Sequence, residues 1–151
     1  MGNNTNPFII ELTYEVIEEF ESRRQLNGPE DAGVLLGSII DNNHIRINRM
    51  SSSCAAKRTI SGCVIDATLA NRYIQEEFES SCHTRVFIGE WHTHPEDHPS
   101  PSTIDINTIA KDYRECHPSI DGLVMIIIGR RSIYYGVYTE NRLCEFLPIL
   151  V

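Results

Sequence analysis

Apolar positions along this chain fall into short runs whose period changes from segment to segment. Phe8 to Leu12 is a run of strand length, and Thr13 then offers a helix cap ahead of Val16, Ile17, Phe20 and Arg24 at helical spacing. Asn27-Gly28-Pro29 ends that helix, because neither glycine nor proline supports its continuation. Gly33 to Ile40 is apolar enough for a buried strand. Asp41-Asn42-Asn43 makes a turn, and His44 to Met50, with Ile45 and Ile47 on one side, completes a hairpin. Ser51 to Lys57 reads as a polar loop with no role to assign. Asp66 caps a second helix in which Leu69, Tyr73, Ile74 and Phe78 share a face.

Arg85 to Trp91 predicts another strand. The prolines between Pro95 and Pro101 require a loop, since proline disrupts helix and sheet interiors alike. Ser102 opens a third helix, with Asp105 in the capping-box position. Leu123 to Ile128, Ile133 to Tyr138 and Leu143 to Leu147 give further strands. The apolar close, Phe146-Leu147-Pro148-Ile149-Leu150-Val151, reads as finishing the core, with docking on a partner as the alternative. Three helices and roughly seven strands, without repeat or linker, predict an α/β fold: a single-domain mixed β-sheet flanked by helices. Residues 1–7 read as a flexible leader and 8–151 as the domain, which is long enough to bury a core without staples.

Net charge narrows the partners. Thirteen basic against 21 acidic side chains leave −8, and Arg23-Arg24 and Arg130-Arg131 are too short to form a basic tract. That disfavours a nucleic acid, whose phosphates need clustered cations. Five scattered cysteines without a Cys-x-x-Cys do not read as a disulfide framework. No apolar stretch approaches membrane length, so the expectation is a cytoplasmic protein with no membrane partner.

The chemistry concentrates in Gly89-Glu90-Trp91-His92-Thr93-His94-Pro95 and in Pro99-Ser100-Pro101-Ser102-Thr103-Ile104-Asp105. Alternate residues of a strand share a face, so His92 and His94 can enter one cleft. Asp105 sits in the first turn of the next helix, where a carboxylate is electrostatically favoured. Two imidazoles and a carboxylate suit zinc with a fourth position left for water. Taken separately, His-x-His is a weak signal and Ser102 with Asp105 is a helix cap; strand, loop and helix start together make the metal reading the stronger one. A hydrolase also needs a proton carrier. Glu30, at the start of the Gly33-Val34-Leu35-Leu36-Gly37 strand, stands where reduced solvation raises a carboxyl pKa, although in isolation it reads as an exposed turn glutamate.

Glu30 before Gly33-Val34-Leu35-Leu36-Gly37, with His92-Thr93-His94-Pro95 and Ser102-Thr103-Ile104-Asp105, resembles the JAMM (MPN+, JAB) metalloprotease family over about residues 8–148. The resemblance implies a curved mixed sheet with helices and a zinc-dependent peptidase or isopeptidase holding one Zn2+ per chain. It implies His92, His94 and Asp105 as ligands, Glu30 as general base and Ser102 as hydrogen-bond donor to the oxyanion. Where relatives often carry Gly-Gly, this chain has Ala32-Gly33, a methyl tolerated if the backbone there is ordinary. A narrower resemblance is to small bacterial JAB-domain proteins found beside E1- and E2-like proteins in anti-phage (CBASS) operons. It implies cleavage after the C-terminus of a ubiquitin-like protein or a cGAS-like nucleotidyltransferase conjugated to a target. A non-catalytic MPN scaffold, a peptidase of a sulfur-carrier pathway, and a RadC-like or deaminase-like metal protein are the competing readings.

Other residues invite roles. Glu90 falls on the ligand face of its strand, where it is either a polar neighbour of the site or solvated. Trp91 points the other way, into packing. Glu96, Asp97 and His98 lie in the loop beside the site, with His98 read as a turn residue. Cys82-His83 and Cys116-His117 suggest a second metal site, but no paired spacing supports one.

Overall fold

The computed structural model describes residues 6–24, 28–58 and 63–151; most of the leader and Asn27 lie outside that set. The chain runs β1 (Ile9–Leu12), α1 (Tyr14–Ser22), β2 (Ala32–Asp41), β3 (His44–Met50), β4 (Ala55–Arg58) and β5 (Cys63–Ile65). It continues through α2 (Ala67–Ser80), β6 (Val86–Thr93), α3 (Thr103–Cys116), β7 (Leu123–Ile128), β8 (Ile133–Thr139), β9 (Arg142–Glu145) and β10 (Ile149–Leu150). Among the described residues eight strands form one sheet in the order β10-β1-β3-β2-β6-β7-β8-β9, and β4 and β5 form a second, two-stranded one. The sheet is mixed: β6 and β7 are parallel, with α3 in the crossover, while β2 is antiparallel to both β3 and β6.

All six residues of β7 are buried, as expected of a strand covered on both faces. On one face Val16 and Phe20 of α1 pack among Leu35, Ile45, Ile47, Trp91, Val124 and Ile126. On the other, Ile109 of α3 covers Leu123, Met125 and Ile127, and Ala70 of α2 covers Val34 and Leu36. Each helix begins at its expected cap. Thr13 accepts from Val16 N–H, Asp66 from Leu69 N–H and Ser102 from Asp105 N–H.

The expected mixed sheet with flanking helices is observed, but the described residues hold ten strands rather than seven. The Ser51–Lys57 segment is not a plain loop. Ser51 is buried and its Oγ accepts from Val34 N–H at 2.9 Å, Cys54 N–H donates to Ala32 O at 2.9 Å, and β4 starts at Ala55. β4 and β10 are too short to show a period, and neighbouring strands define them. The last predicted strand stops early, at Glu145. Phe146 turns into the core, whereas Leu147, ahead of Pro148, is 92% exposed. Ile149 and Leu150 then pair in parallel with Glu11 and Leu12, so the apolar close is partly core and partly sheet edge.

Candidate metal centre

The site lies at the C-terminal end of β6, and strand pairing explains its membership. β2 runs antiparallel to β6 with Ala32 opposite His92, and the pairing continues outward: Thr93 N–H donates to Asp31 O at 2.9 Å, and Asp31 N–H donates to Thr93 Oγ1 at 2.9 Å. One residue further stands Glu30, whose carboxyl interacts electrostatically with His94, His92 and Asp105. On the other flank, His94 N–H donates to Ile128 O at 3.0 Å and anchors the strand end to β7. Ala32 has extended backbone and fits beside His92. Gly33 has no such freedom: a Cβ there would meet Trp91 Nε1 at 2.5 Å and Ser51 Oγ at 2.4 Å. Trp91 is fully buried on the opposite face, as expected.

Across the proline loop, α3 delivers Asp105. The Ser102 hydroxyl accepts from Asp105 N–H at 3.1 Å, and Ser102 N–H donates to Asp105 Oδ2 at 2.8 Å, a complete capping box. That box fixes the first turn and turns the Asp105 carboxylate towards β6. His92 Nε2 and His94 Nε2 lie 3.2 Å apart; Asp105 Oδ1 is 3.5 Å from His92 Nε2 and Oδ2 is 3.2 Å from His94 Nε2. Ligands about 2.0–2.1 Å from a tetrahedral zinc are about 3.3–3.4 Å from one another. The three donors therefore fit one face of that tetrahedron, and they are the group able to hold a metal among the described residues.

Charge follows the geometry. Burial works against the Asp105 carboxylate, but hydrogen bonds from His92 and His94 outweigh it and hold its pKa far below the usual range. Burial likewise opposes the charged form of His94, while the hydrogen bond and charge of Asp105, with Glu30 and Glu96 beyond, carry its pKa upward. Glu30 is 7% exposed, and burial lifts its carboxyl pKa despite the opposing pull of His94 and His92. The isolated-turn reading of Glu30 is excluded by that burial.

Glu90 does fall on the ligand face, but its carboxyl reaches Asp112 of α3, and burial beside that second carboxyl holds its pKa well above the ordinary range. His98 stays outside the cluster, with Nδ1 3.0 Å from Ser132 Oγ. Cys82 is exposed, and His83 stacks on Phe78 at 4.5 Å between ring centroids. The sequence reading gave no role to Glu96, whose Oε1 lies 2.8 Å from His94 Nδ1. An acid two positions after the second histidine was the available signal.

Residues 16–142 match the model of prokaryotic homologues of the JAB domain. The chain belongs to this JAB family. Among curated relatives of this JAB domain, a Vibrio cholerae protein named CD-NTase/cGAS isopeptidase is 31% identical, with 93% of this chain and 89% of that protein covered. A protein of the same name from Escherichia coli is also 31% identical, over 84% and 80%. Another from Pseudomonas aeruginosa is 27% identical, over 85% and 82%. The solution structure of Desulfitobacterium hafniense protein DSY2949 superposes with a TM-score of 0.73 at 19% identity, covering 95% and 93%, a likeness of fold. No helix among the described residues is long and apolar enough to cross a membrane.

Proposed function

We propose that this JAB domain is a zinc-dependent isopeptidase that releases a CD-NTase or a ubiquitin-like modifier from conjugated targets. The observation that supports it is the buried Glu30 carboxyl, which interacts electrostatically with His92, His94 and Asp105, the three residues whose donor atoms cluster. His92, His94 and Asp105 would hold the zinc ion, which when bound would supply Lewis acidity to activate water near neutral pH. Glu30 takes one proton from the attacking water as the water oxygen adds to the scissile carbonyl carbon. When the C–N bond breaks, Glu30 returns the proton to the departing amine. Its raised pKa suits both halves of that exchange. The Ser102 hydroxyl accepts from Asp105 N–H, which leaves its own O–H to donate to the oxyanion.

The substrate reading comes from the three relatives named CD-NTase/cGAS isopeptidase. An extended modifier tail is suited to strand addition. The main sheet offers its edges at β9 and β10, three strands or more from β6, about 14 Å away at normal strand spacing. The small β4–β5 sheet is nearer, since the segment leading into it hydrogen-bonds Ala32 and Ser53 Oγ donates to Asp31. We therefore favour β4–β5 as the edge that grips the tail. Free cysteines fit a reducing cytoplasm, and the same reading expects E1- and E2-like genes beside this one.

The test is cleavage of a modifier–target conjugate by the purified protein, alongside its zinc content by elemental analysis. One zinc per chain and cleavage that stops with a chelator and in Glu30→Gln are expected. Undiminished cleavage by zinc-loaded Glu30→Gln would remove the general base from the mechanism. A protein without zinc that only binds the conjugate would be a scaffold.

A further inference from the structure

The loop that follows His94 is built as carefully as the strand before it. Glu96 O accepts from Arg130 N–H at 2.7 Å, and Asp97 O accepts from Arg131 and Ser132 N–H, both at 3.0 Å. The β7–β8 turn that provides these donors is itself held, because Arg24 Nη1 donates to Gly129 O at 2.9 Å. Loop and turn touch at Gly129, where a Cβ would meet Pro99 Cδ at 2.3 Å and Glu96 O at 2.8 Å. The Glu96 backbone is therefore fixed independently of its side chain. From that fixed point the half-exposed carboxylate reaches back to His94, with Oε1 2.8 Å from Nδ1.

A neutral imidazole carries one N–H and one lone pair, so a partner at one nitrogen decides what the other can do. At His94 two carboxylates compete for the single N–H: Glu96 at Nδ1, 2.8 Å away, and Asp105 at Nε2, 3.2 Å away. If Asp105 won, Nε2 would present hydrogen rather than a lone pair to the centre of the triad. We propose that Glu96 is the positioning residue of this metal centre: by accepting Nδ1–H it keeps the Nε2 lone pair of His94 aimed between His92 and Asp105. Carboxylates in this relation to a metal-bound imidazole orient the ring and raise its basicity. The proposal rests on the metal reading of the triad but not on peptidase activity.

The test compares the full-length protein with Glu96→Ala and Glu96→Gln by zinc competition against a chromogenic chelator. Glu96→Ala is expected to bind zinc about 10–100-fold more weakly. Glu96→Gln, whose amide oxygen still accepts from Nδ1–H, is expected to lose less than about tenfold. Zinc affinity unchanged in Glu96→Ala overturns the proposal. So does an equal loss in both variants, which would make the effect one of bare charge. Should Glu96→Ala fail to fold, the unsubstituted protein still decides the matter. In its metal-free form, nitrogen-15 spectra at alkaline pH should show the His94 proton on Nδ1, and a proton on Nε2 overturns the proposal. Weakened zinc binding in a protein that cleaves no conjugate would leave Glu96 in place and remove the isopeptidase reading.

Discussion

Ser102 is assigned two jobs, and Ser102→Ala separates them by size. As a cap, the hydroxyl accepts one hydrogen bond, from Asp105 N–H at 3.1 Å; the reciprocal bond from Ser102 N–H to Asp105 Oδ2 uses backbone and survives the substitution. Half a capping box costs about 0.5–1 kcal/mol. In a chain of 151 residues that lowers Tm by about 1–4 °C. A loss this small leaves the protein folded at assay temperature, given a total stability of about 5–15 kcal/mol. As an oxyanion donor, the same hydroxyl contributes about 100- to 1,000-fold to kcat. The assay is kcat on a modifier–reporter fusion, normalised to bound zinc, with Tm measured in parallel. Ser102→Gly is the control, since glycine costs a cap only a few tenths of a kcal/mol. Both variants should lose the same catalytic factor while differing in Tm. A zinc-loaded Ser102→Ala with kcat within tenfold of the unsubstituted enzyme would refute the donor role and leave Ser102 a cap.

Glu30→Gln should reduce turnover about 100- to 10,000-fold, and in the metal-free protein it should raise Tm at neutral pH. Burial lifts the folded-state pKa of Glu30 above its unfolded value of 4.5, so the folded protein binds that proton more tightly and stability falls as pH rises from 4.5 through the folded pKa. Glutamine removes that penalty, and the difference between the two proteins should close below about pH 4.5; a Tm deficit at neutral pH would contradict the argument. Chelation should abolish cleavage without changing far-UV circular dichroism, while zinc at 100 times its Kd should add about 2.7 kcal/mol and raise Tm by about 5–10 °C. Gly129→Ala should cost about 1–3 kcal/mol by driving a methyl into Pro99 and weaken zinc binding by shifting Glu96, as read by thermal melts and chelator competition.

The elements most legible in the sequence were those with a period long enough to read. All three helices announced themselves through a cap residue and apolar positions at helical spacing, and β2 and β7 through length and apolarity. β4, β5 and β10 did not: the four-residue β1 and β9 fall within the predicted runs Phe8 to Leu12 and Leu143 to Leu147, whereas these three take their definition from the strand they pair with. The same division runs through the site. His92, His94 and Asp105 are close in sequence, and one strand and one capped helix bring them together. Glu30 lies 62 residues before His92, and only the β2–β6 register, invisible in the sequence, makes it their neighbour. Glu96 was missed for another reason: a carboxylate in a proline-rich loop looks solvated until the loop's anchors on Arg130, Arg131 and Ser132 are known.

The antiparallel pairing of β2 with β6 also has an evolutionary consequence. Every group assigned to the chemistry is borne by the first residues before β2, the last residues of β6, or the short stretch from there to the first turn of α3. The chain between Gly37 and Arg85, with β3, β4, β5 and α2, leaves the site along one strand and returns along the other. Length changes in its outer turns, away from Ser51, Ser53 and Cys54, which bond Val34, Asp31 and Ala32, leave both strand ends in place. The residues proposed for the chemistry thus sit at the two ends of a long excursion of chain whose outer turns can be remodelled while those ends are kept.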